Sequence, residues 1–470
     1  MRRVEFLCTL ESDVVVHADS NTEGNIPLHD YIPGSNFLGV VAREYDEFGD
    51  KAFDIFHSGK VRFCDAHPLI DGKRALRPPL SWFSKKGRDV EDGIYNQLKM
   101  DEEDMKSLVA RNIQLKQLRS GFFVGDGYAS LVHSYSQKSA YDSEKRRSEE
   151  GAMYGYSAIA SGMEFAFAVE FDSAIDDETI ERVCTLLTGK KSVGKSKSAQ
   201  YGMVRIERAQ GLYPEIERVN EKGTMLIYAQ SRLAFFDENG NGTLQPSARE
   251  LKLPEGAKID WAKSQIRSST FTPYNGARRT RDYQRFVIEK GSVIVVDGLS
   301  DDFDSAKWLD SVGGTLGGYR SEGFGEVLVD PDFLESREPT LRKSGFRMQE
   351  IVRDGEDDTL LRWIEMERKK KERELDLIAE VRSFIKEHGD DYRATTPSQW
   401  GAIRAFARKG YEENELKEYL EKGKASKEQW SSRRKETLFT AIRNSNEPEA
   451  FLRLLASEMA KYINREGGEK

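Results

Sequence analysis

The sequence predicts an α+β protein in which two ferredoxin-like (RRM-like) domains in tandem precede a C-terminal α-helical bundle. Strand and helix patterns alternate through the first 340 residues, and a Gly-rich loop followed by a short strand occurs twice. After about residue 345 the composition shifts to Glu, Lys, Arg and Leu. We therefore predict domains at 1–210 and 211–340 and a helical domain at 345–470. A chain of 470 residues is too long for one core, which agrees with this division.

The two Gly-rich loops span Gly194–Gly202 and Gly317–Gly325 and match at a constant offset. At that offset Tyr201 pairs with Phe324, and the glycines at both ends of the loops pair with each other. Each copy follows a helix-like segment and leads into alternating apolar residues. We interpret the two copies as one supersecondary unit used twice. A chance likeness between two low-complexity loops is the alternative.

The first domain is predicted to contain strand–helix–strand twice, the split βαβ arrangement of a ferredoxin-like domain. Period-two apolar patterns predict strands at 4–10 and 163–171. Ser35 is placed to cap the first helix, and Asp176 precedes a second helix with one apolar face. Residues 88–150 lack such a pattern, so they predict a long insertion, either a hairpin or a solvated loop.

In the second domain, strands are predicted near 224–236 and 286–296 and a helix near 303–312. Residues 355–465 predict a bundle of four or five helices. One of them begins with a capping box, in which Thr396 is the N-cap and Gln399 the third helical residue.

Composition narrows the classes of function. The net charge of −8 is not typical of a nucleic-acid binder, but screening over about 8 Å lets local charge decide. No apolar run approaches the ~20 residues that span a bilayer, so we expect a cytoplasmic protein without a membrane partner. Three cysteines in apolar-periodic segments predict buried, reduced thiols. Six scattered histidines predict neither a metal site nor a cofactor.

The first Gly-rich loop contains a literal phosphate-binding pattern, Gly189-x4-Gly194-Lys195-Ser196. In nucleotide-hydrolysing proteins this pattern follows a strand and starts a helix, whose N-terminus faces the phosphates. Here a helix precedes it and a strand follows. The order favours contact with a nucleic-acid phosphate over nucleotide hydrolysis.

A second basic region interleaves arginines with aromatic residues and is typical of a track for single-stranded RNA. Its alternative function is surface salt bridging to the many acidic residues. The region comprises Arg267, Arg278, Arg279, Arg281 and Arg285 around Phe271, Tyr274 and Tyr283.

His29, Asp30 and Tyr31 lie beside a Gly/Ser turn and can be interpreted as acid and base for RNA cleavage by an attacking 2′-hydroxyl. The alternative is that they fix the turn, since no partner that would orient them is visible in the sequence.

The motif Ile32-Pro33-Gly34-Ser35-Asn36-Phe37-Leu38-Gly39 resembles the IPGSxxxG start of RAMP proteins, the repeat-associated subunits of CRISPR effector complexes. The two Gly-rich loops resemble the Gly-rich loops of those proteins. More narrowly, an ordered set of pieces over most of the chain resembles the Csx-ten family of type III-D systems. The pieces are Asp65-Ala66-His67-Pro68, Ser148–Tyr154, Pro273–Arg278, Gly323-Phe324-Gly325 and Ser398-Gln399-Trp400-Gly401.

The resemblance implies tandem ferredoxin-like RAMP domains of a Cas-five-like subunit, which holds the 5′ handle of the crRNA. It also implies two protein partners, the large Cas-ten-type subunit and the backbone RAMP subunits. Where the family tends to carry a His-Asn type pair, this chain has Lys138 and Ser139, which favours RNA contact over cleavage.

We therefore expect a crRNA-binding subunit that is not an enzyme, with the 88–150 insertion as a thumb and the helical tail docking a protein neighbour. The alternatives are a metal-independent endoribonuclease using His29, Tyr31 or Lys195, and a backbone RAMP subunit cleaving target RNA with Asp30. A nucleotide hydrolase and a purely structural adaptor are further alternatives. The predicted RNA-binding residues are Ser35, Asn36, Lys138, Lys195, Ser196, Lys197, Ser198, Arg278, Arg279, Arg281 and Arg320.

Overall fold

The computed structural model describes residues 1–18, 28–131, 133–142, 147–197, 200–219, 221–276, 278–350, 359–422 and 429–467. The chain divides into two compact units, 1–351 and 352–470. The first is mixed α+β with mainly antiparallel sheets, and the second is helical. Within the described ranges no helix is both long and apolar enough to cross a bilayer. The sequence-based boundary at 210 falls inside the first unit and stays a prediction.

The first part of the α+β unit carries most of its strands. In chain order its elements are β1 (Arg2–Leu10), α1 (Gly34–Val41), α2 (Ala52–Phe56), β2 (Val61–Phe63), β3 (His67–Ile70), β4 (Lys73–Arg74), β5 (Trp82–Lys85), β6 (Ile94–Asn96), α3 (Glu102–Ala110), β7 (Leu115–Gln117), β8 (Phe122–Val124), β9 (Gly127–Ala129), β10 (His133–Asp142), β11 (Arg147–Ile159), β12 (Glu164–Phe171), α4 (Asp177–Leu187), β13 (Gly189–Ser192) and β14 (Met203–Ala209).

The second part of the same unit is built from shorter strands and one α-helix. Its elements are β15 (Thr224–Ala229), β16 (Phe235–Phe236), β17 (Gly242–Thr243), β18 (Lys258–Ile259), β19 (Ser268–Phe271), β20 (Tyr274–Asn275), β21 (Thr280–Arg281), β22 (Arg285–Ile288), β23 (Val293–Asp297), α5 (Ser305–Ser311), β24 (Val327–Val329) and β25 (Arg342–Lys343).

Two sheets of the unit share one strand order. The first runs β13–β14–β1–β12–β3–β4, with β2 also paired to β12, and the second runs β18–β23–β15–β24. In both, the central pair consists of the first and third main strands, and each neighbouring pair of main strands is antiparallel. This order is that of a split βαβ sheet. We call β1, β2, β12, α4 and β14 with their connections the first repeat, and β15, β18, β23, α5 and β24 the second repeat.

The two repeats differ in their first connection. In the first repeat α1 and α2 connect β1 to β2, and α1 places Phe37 against Phe167 of β12 with ring centroids 3.7 Å apart. In the second repeat the connection between β15 and β18, residues 230–257, holds the hairpin β16–β17 and turns but no helix. Within the described residues, the second predicted ferredoxin-like domain therefore has one α-helix, α5, in its second connection.

Several local predictions are confirmed. Asp176 is the N-cap of α4 and accepts a hydrogen bond from the Thr179 N–H at 2.9 Å. The helix buries its predicted face against the first sheet, because its apolar side chains recur at the helical period. Cys8, Cys64 and Cys184 are buried and form no disulfide.

Ser35 does not cap α1, contrary to the sequence-based expectation. The helix begins at Gly34 and has no side-chain cap; the carboxylate of Asp65 instead accepts the Gly34 N–H at 2.7 Å. Ser35 is exposed in the first helical turn. Position in the sequence could not show this, because Asp65 lies on a different element, just before β3.

The expected solvated loop over 88–150 is wrong for its first part. Residues 88–129 form β6, α3, β7, β8 and β9, and they bury Val90, Ile94, Leu118 and Phe123 in one cluster with Trp82. The expected hairpin exists as the antiparallel pair β10–β11, whose strands cover 133–142 and 147–159. The buried residues are few and far apart in sequence, so the sequence shows no periodic pattern that would have predicted this small core.

The C-terminal unit contains five α-helices within the described residues, in agreement with the predicted bundle. Thr396 and Gln399 form the capping box at the start of the second of them, and Pro397 is its first residue. The core is centred on Trp400, Trp430 and Tyr392. The helices are α6 (Thr359–His388), α7 (Pro397–Lys409), α8 (Glu413–Lys422), α9 (Ser432–Asn444) and α10 (Pro448–Gly467).

Candidate nucleic-acid interface

The two Gly loops, Gly194–Gly202 and Gly317–Gly325, have the same backbone hydrogen bonds. Three N–H donors in each loop region find equivalent carbonyl acceptors, at 2.8–2.9 Å in all six cases. The matched donor–acceptor pairs are Val193 to Gly202 and Leu316 to Gly325, Lys195 to Val15 and Gly318 to Ala234, and Gly202 to Asp13 and Gly325 to Arg232. The repeat inferred from sequence is therefore a repeat of backbone geometry.

The match extends to segments that the sequence comparison did not detect. The Ser12 hydroxyl accepts the Met203 N–H at 2.9 Å, and the Ser231 hydroxyl accepts the Glu326 N–H at 2.8 Å. Both serines follow the first strand of their repeat. A comparison of the two residues after β1 and β15 would have found them, but a single shared serine is a weak signal.

Each repeat also carries a β-hairpin at the same place. Val14 pairs with Ile159 at the base of β10–β11, and Leu233 pairs with Ile288 at the base of β19–β22. We call β10–β11 the first hairpin and residues 268–288, with the inner pair β19–β22 and the tip β20–β21, the second hairpin. Each repeat thus presents a Gly loop beside a hairpin.

The glycines of the loops are explained by the fold. A Cβ atom on Gly317 would lie 2.3 Å from the Ala234 carbonyl oxygen, and one on Gly194 would lie 2.5 Å from that of Val15. Both glycines have a φ of +77°, a backbone angle that residues with a side chain rarely adopt. The close approach that requires glycine is therefore to the segment that follows the first strand of each repeat, so glycine content by itself does not indicate a phosphate site.

The second Gly loop packs against the first repeat. The Ser321 hydroxyl accepts the Gly59 N–H at 3.2 Å, and a Cβ on Gly323 would lie 2.7 Å from the Phe63 carbonyl oxygen. Nearby, the Arg62 guanidinium donates to the Gly313 carbonyl at 2.9 Å. This loop joins the two repeats.

Arg320 lies within that contact. Its Nε donates to the Gly317 carbonyl at 3.0 Å, and its aliphatic carbons lie against Gly59. Desolvation and the nearby charge of Arg62 lower its pKa. The structure therefore separates Arg320 from the other predicted RNA-binding residues.

The first Gly loop, in contrast, exposes its cations. Lys195 and Lys197 are exposed, and Ser196 between them has a left-handed backbone with φ of +56°. The Asn36 side-chain oxygen accepts the Gly194 N–H at 3.1 Å, which joins the start of α1 to the loop. We call this surface the first-loop patch. It comprises Ser35, Asn36, Arg43, Lys195, Ser196 and Lys197.

Arg43 belongs to the patch although sequence reasoning missed it. Desolvation and the charge of Arg43 lower the pKa of Lys197, so the two cations lie close enough to repel each other. Arg43 lies two residues after the end of α1, and no motif in the sequence linked it to a loop about 150 residues later. An anion between these groups would relieve the repulsion.

The tip of the second hairpin combines exposed cations with exposed rings. Tyr274 is 61% exposed and Tyr283 is 86% exposed. Arg278, Arg279 and Arg281 are exposed in the same tip, and Arg278 lies 3.6 Å from the Asp282 carboxylate. The predicted alternation of arginine and tyrosine is therefore present on one two-stranded ribbon.

Arg285 does not belong to that exposed set. It is 5% exposed and makes two hydrogen bonds to the Glu322 carboxylate, at 2.7 and 2.9 Å. Its guanidinium carbon lies 3.8 Å from the centroid of the Tyr319 ring. Sequence reasoning placed Arg285 with the RNA-binding cluster, and the structure removes it.

A buried polar cluster joins the repeats near the start of α1. The Lys290 ammonium lies 2.8 Å from the Asp65 carboxylate and 2.8 Å from His67 Nε2. Because His67 Nδ1 lies 2.8 Å from the Ala75 carbonyl, it carries the ring proton, and Nε2 accepts from Lys290. Burial lowers the pKa of His67 well below its usual value, so the ring is neutral. With the Asp65 carboxylate on Gly34, this helix N-terminus already holds an anion.

The residues considered for acid–base chemistry lie in the same packed region. His29 and Tyr31 are buried, and burial lowers the pKa of His29 well below its usual value. The Arg77 guanidinium donates to the Asp30 carboxylate at 2.6 Å. The Lys290 ammonium lies 3.1 Å from the centroid of the Tyr31 ring. These contacts give all three residues a role in packing.

The side chains of two predicted RNA-binding residues lie outside the part of the chain that the structure describes. Lys138 lies in β10, where its backbone pairs with Tyr154, and its side chain is outside the described residues. Ser198 also lies outside the described residues. The structure thus brings together Ser35, Asn36, Lys195, Ser196 and Lys197 in one patch and Arg278, Arg279 and Arg281 in a hairpin tip.

No family model matches the sequence, and no curated protein matches it. Among solved structures, the chain is similar to one in a Type III-B Cmr-beta complex bound to cognate target RNA and AMPPnP, with TM-score 0.40 and 10% identity over 72% of this chain and 99% of that chain. It is also similar to one in the Csm3–Csm4 subcomplex of a type III-A CRISPR-Cas interference complex, with TM-score 0.34 and 11% identity over 70% and 99%. With TM-scores below 0.5, these likenesses do not extend to function.

Proposed function

We propose that the protein is a non-catalytic subunit of a type III CRISPR effector complex that binds the crRNA as a single strand and holds its 5′ handle. The observation that carries the proposal is the tip of the second hairpin. There Arg278, Arg279 and Arg281 share one short ribbon with the exposed rings of Tyr274 and Tyr283.

This arrangement suits a single strand for a physical reason. Arginines neutralise phosphates, and exposed rings stack on unpaired bases, each worth about 1–3 kcal/mol. A duplex would offer the rings no free base face, whereas a single strand offers one at every nucleotide.

The first-loop patch supplies a second basic contact in this proposal. Lys195, Lys197 and Arg43 concentrate positive charge beside α1. At physiological salt charges act over about 8 Å, so this patch attracts phosphates although the whole chain carries a net charge of −8. The asparagine that ties α1 to the loop, Asn36, keeps the patch in one arrangement.

The nature of the RNA and of the complex comes from the sequence resemblance. The ordered motifs that resemble the Csx-ten family favour a crRNA 5′ handle as the ligand, and the large Cas-ten-type subunit and backbone RAMP subunits as neighbours. In this proposal the helical unit docks one of those neighbours.

The proposal is tested by measuring RNA affinity against salt concentration for the wild type and for single alanine variants. Each of Arg278→Ala, Arg279→Ala and Arg281→Ala is expected to lower the slope of log affinity against log salt by about 0.7, the value for one lost single-strand phosphate contact. Tyr283→Ala is expected to weaken binding without changing the slope, because stacking releases no counterion.

The matched control is Lys307→Ala, which removes an exposed cation from α5. It is expected to leave both affinity and slope unchanged. Equal slopes for the wild type and all three arginine variants would contradict RNA binding by the hairpin tip and favour a structural adaptor.

A further inference from the structure

The second hairpin has a pivot at one rung. Phe271 and Arg285 form the last pair of β19–β22, and the exposed tip with β20–β21 begins just beyond them. The Asp282 N–H returns to the Pro273 carbonyl at 2.8 Å, so the tip continues as a ribbon from this rung. The contacts that hold Phe271 and Arg285 in place therefore also determine the direction of the tip.

Both members of the rung are held by the second Gly loop. The ring of Phe271 stacks on Phe324, with centroids 6.2 Å apart and planes at 11°. The guanidinium of Arg285 makes the bidentate ion pair with the Glu322 carboxylate and stacks on the face of the Tyr319 ring. A planar guanidinium bound at two points has one orientation, unlike a lysine ammonium.

The loop that holds the rung is itself anchored to the first repeat. Its Ser321 bonds to Gly59, and Gly323 lies against the Phe63 carbonyl. An unbroken series of contacts therefore runs from the first repeat, through the loop and the Arg285–Glu322 pair, to the exposed tip.

The ion pair is a property of the second repeat alone. At the offsets that match the two hairpins and the two loops, the positions of Arg285 and Glu322 correspond to Tyr156 and Ala199. The shared backbone geometry therefore does not require the pair, because the first repeat has neither charge.

We infer that Arg285 is a positioning residue: through its two-pronged pair with Glu322 it sets the direction of the Arg/Tyr tip toward the RNA and does not itself contact phosphate. The inference rests on the proposed RNA binding by that tip. It distinguishes Arg285 from Arg278, Arg279 and Arg281, which are within a few residues in sequence but stand exposed.

Glu322→Gln tests the inference because the two roles give opposite signs. If Arg285 contacted phosphate, removing the competing carboxylate would strengthen RNA binding and steepen its salt dependence. A positioning role makes the same change weaken binding by about 5-fold, the low end of measured coupling between sites, with the slope unchanged. Arg285→Lys is expected to weaken RNA binding in the same way as Glu322→Gln, since lysine cannot form the bidentate pair.

A second readout does not depend on RNA. Amide hydrogen exchange within 274–281 is expected to quicken in Glu322→Gln, because the tip loses its fixed base. The matched control is Glu181→Gln, which breaks a bidentate pair between Glu181 on α4 and Arg208 on β14 at the surface. The control is expected to change neither RNA affinity nor exchange in the tip.

Tighter RNA binding by Glu322→Gln, or affinity and tip exchange both equal to the wild type, would overturn the inference. Failure of the proposed function looks different, because then the wild type itself shows no RNA affinity and no variant changes it. In that case tip exchange alone still decides whether Arg285 fixes the hairpin.

Discussion

At the scale of single residues, the loop glycines show a backbone requirement that is independent of any ligand. Gly317 and Gly72 have the same φ of +77°. A Cβ on Gly317 would overlap the Ala234 carbonyl, whereas a Cβ on Gly72 would meet open space. The two glycines therefore separate the cost of backbone conformation from the cost of close packing.

Gly317→Ala is expected to lower the free energy of unfolding by about 3 kcal/mol, since it adds a steric overlap to the backbone strain. Gly72→Ala is expected to cost about 1 kcal/mol, from the left-handed backbone alone. Urea denaturation of both variants and the wild type measures the difference. Equal losses would contradict the packing explanation of the loop glycines.

Residue roles in the candidate site were the least predictable from sequence. Arg281 and Arg285 are four positions apart and looked alike, because the partner that buries Arg285 lies 37 residues away. Ser35 looked like a helix cap because the carboxylate that takes its place lies on another element. Lys195 and Lys197 were found because their exposure follows from local loop composition.

At the scale of elements, the polar cluster around Lys290 links the second repeat to β3 of the first. Burial lowers the pKa of Lys290 to about 8 from its ordinary 10.5, although the Asp65 carboxylate opposes the shift. Between these two values the unfolded chain keeps a proton that the folded chain has released. Unfolding therefore takes up a proton in this range, and stability rises with pH.

The wild type is expected to gain about 2 kcal/mol of unfolding free energy between pH ~7.5 and ~9.5, relative to the double variant Asp65→Asn/Lys290→Met. The double variant removes both charges, so it leaves no unpaired carboxylate in the interior. Urea denaturation at the two pH values supplies the comparison. Parallel pH dependence of the two proteins would contradict the lowered pKa of Lys290.

Elements with regular apolar spacing were predictable, and those shaped by distant contacts were not. β1, β12 and α4 followed from period-two and helical patterns that local sequence carries by itself. Residues 88–129 form a small core around Trp82 and Phe123, whose apolar residues are too scattered to show a period. The missing helix between β15 and β18 reflects turn residues, with Asp237 closing the β16–β17 hairpin.

At the scale of the whole molecule, one backbone plan is used twice and serves two purposes. The second Gly loop docks on the first repeat, and the first Gly loop exposes Lys195 and Lys197. Each loop lies beside a hairpin, and the second hairpin presents the exposed arginines and tyrosines. Sequence revealed the repeat of the loops, but only the structure shows that their surroundings differ.

Ultraviolet cross-linking of the assembled complex with its co-purified RNA, followed by peptide mapping, tests RNA binding by these surfaces most directly. We expect RNA adducts on the peptide with Tyr274 and Tyr283 and on the peptide with Lys195 and Lys197, attached to a uniform repeat-derived 5′ sequence. RNA that cross-links this subunit only at other peptides, or not at all, would contradict the proposed interface.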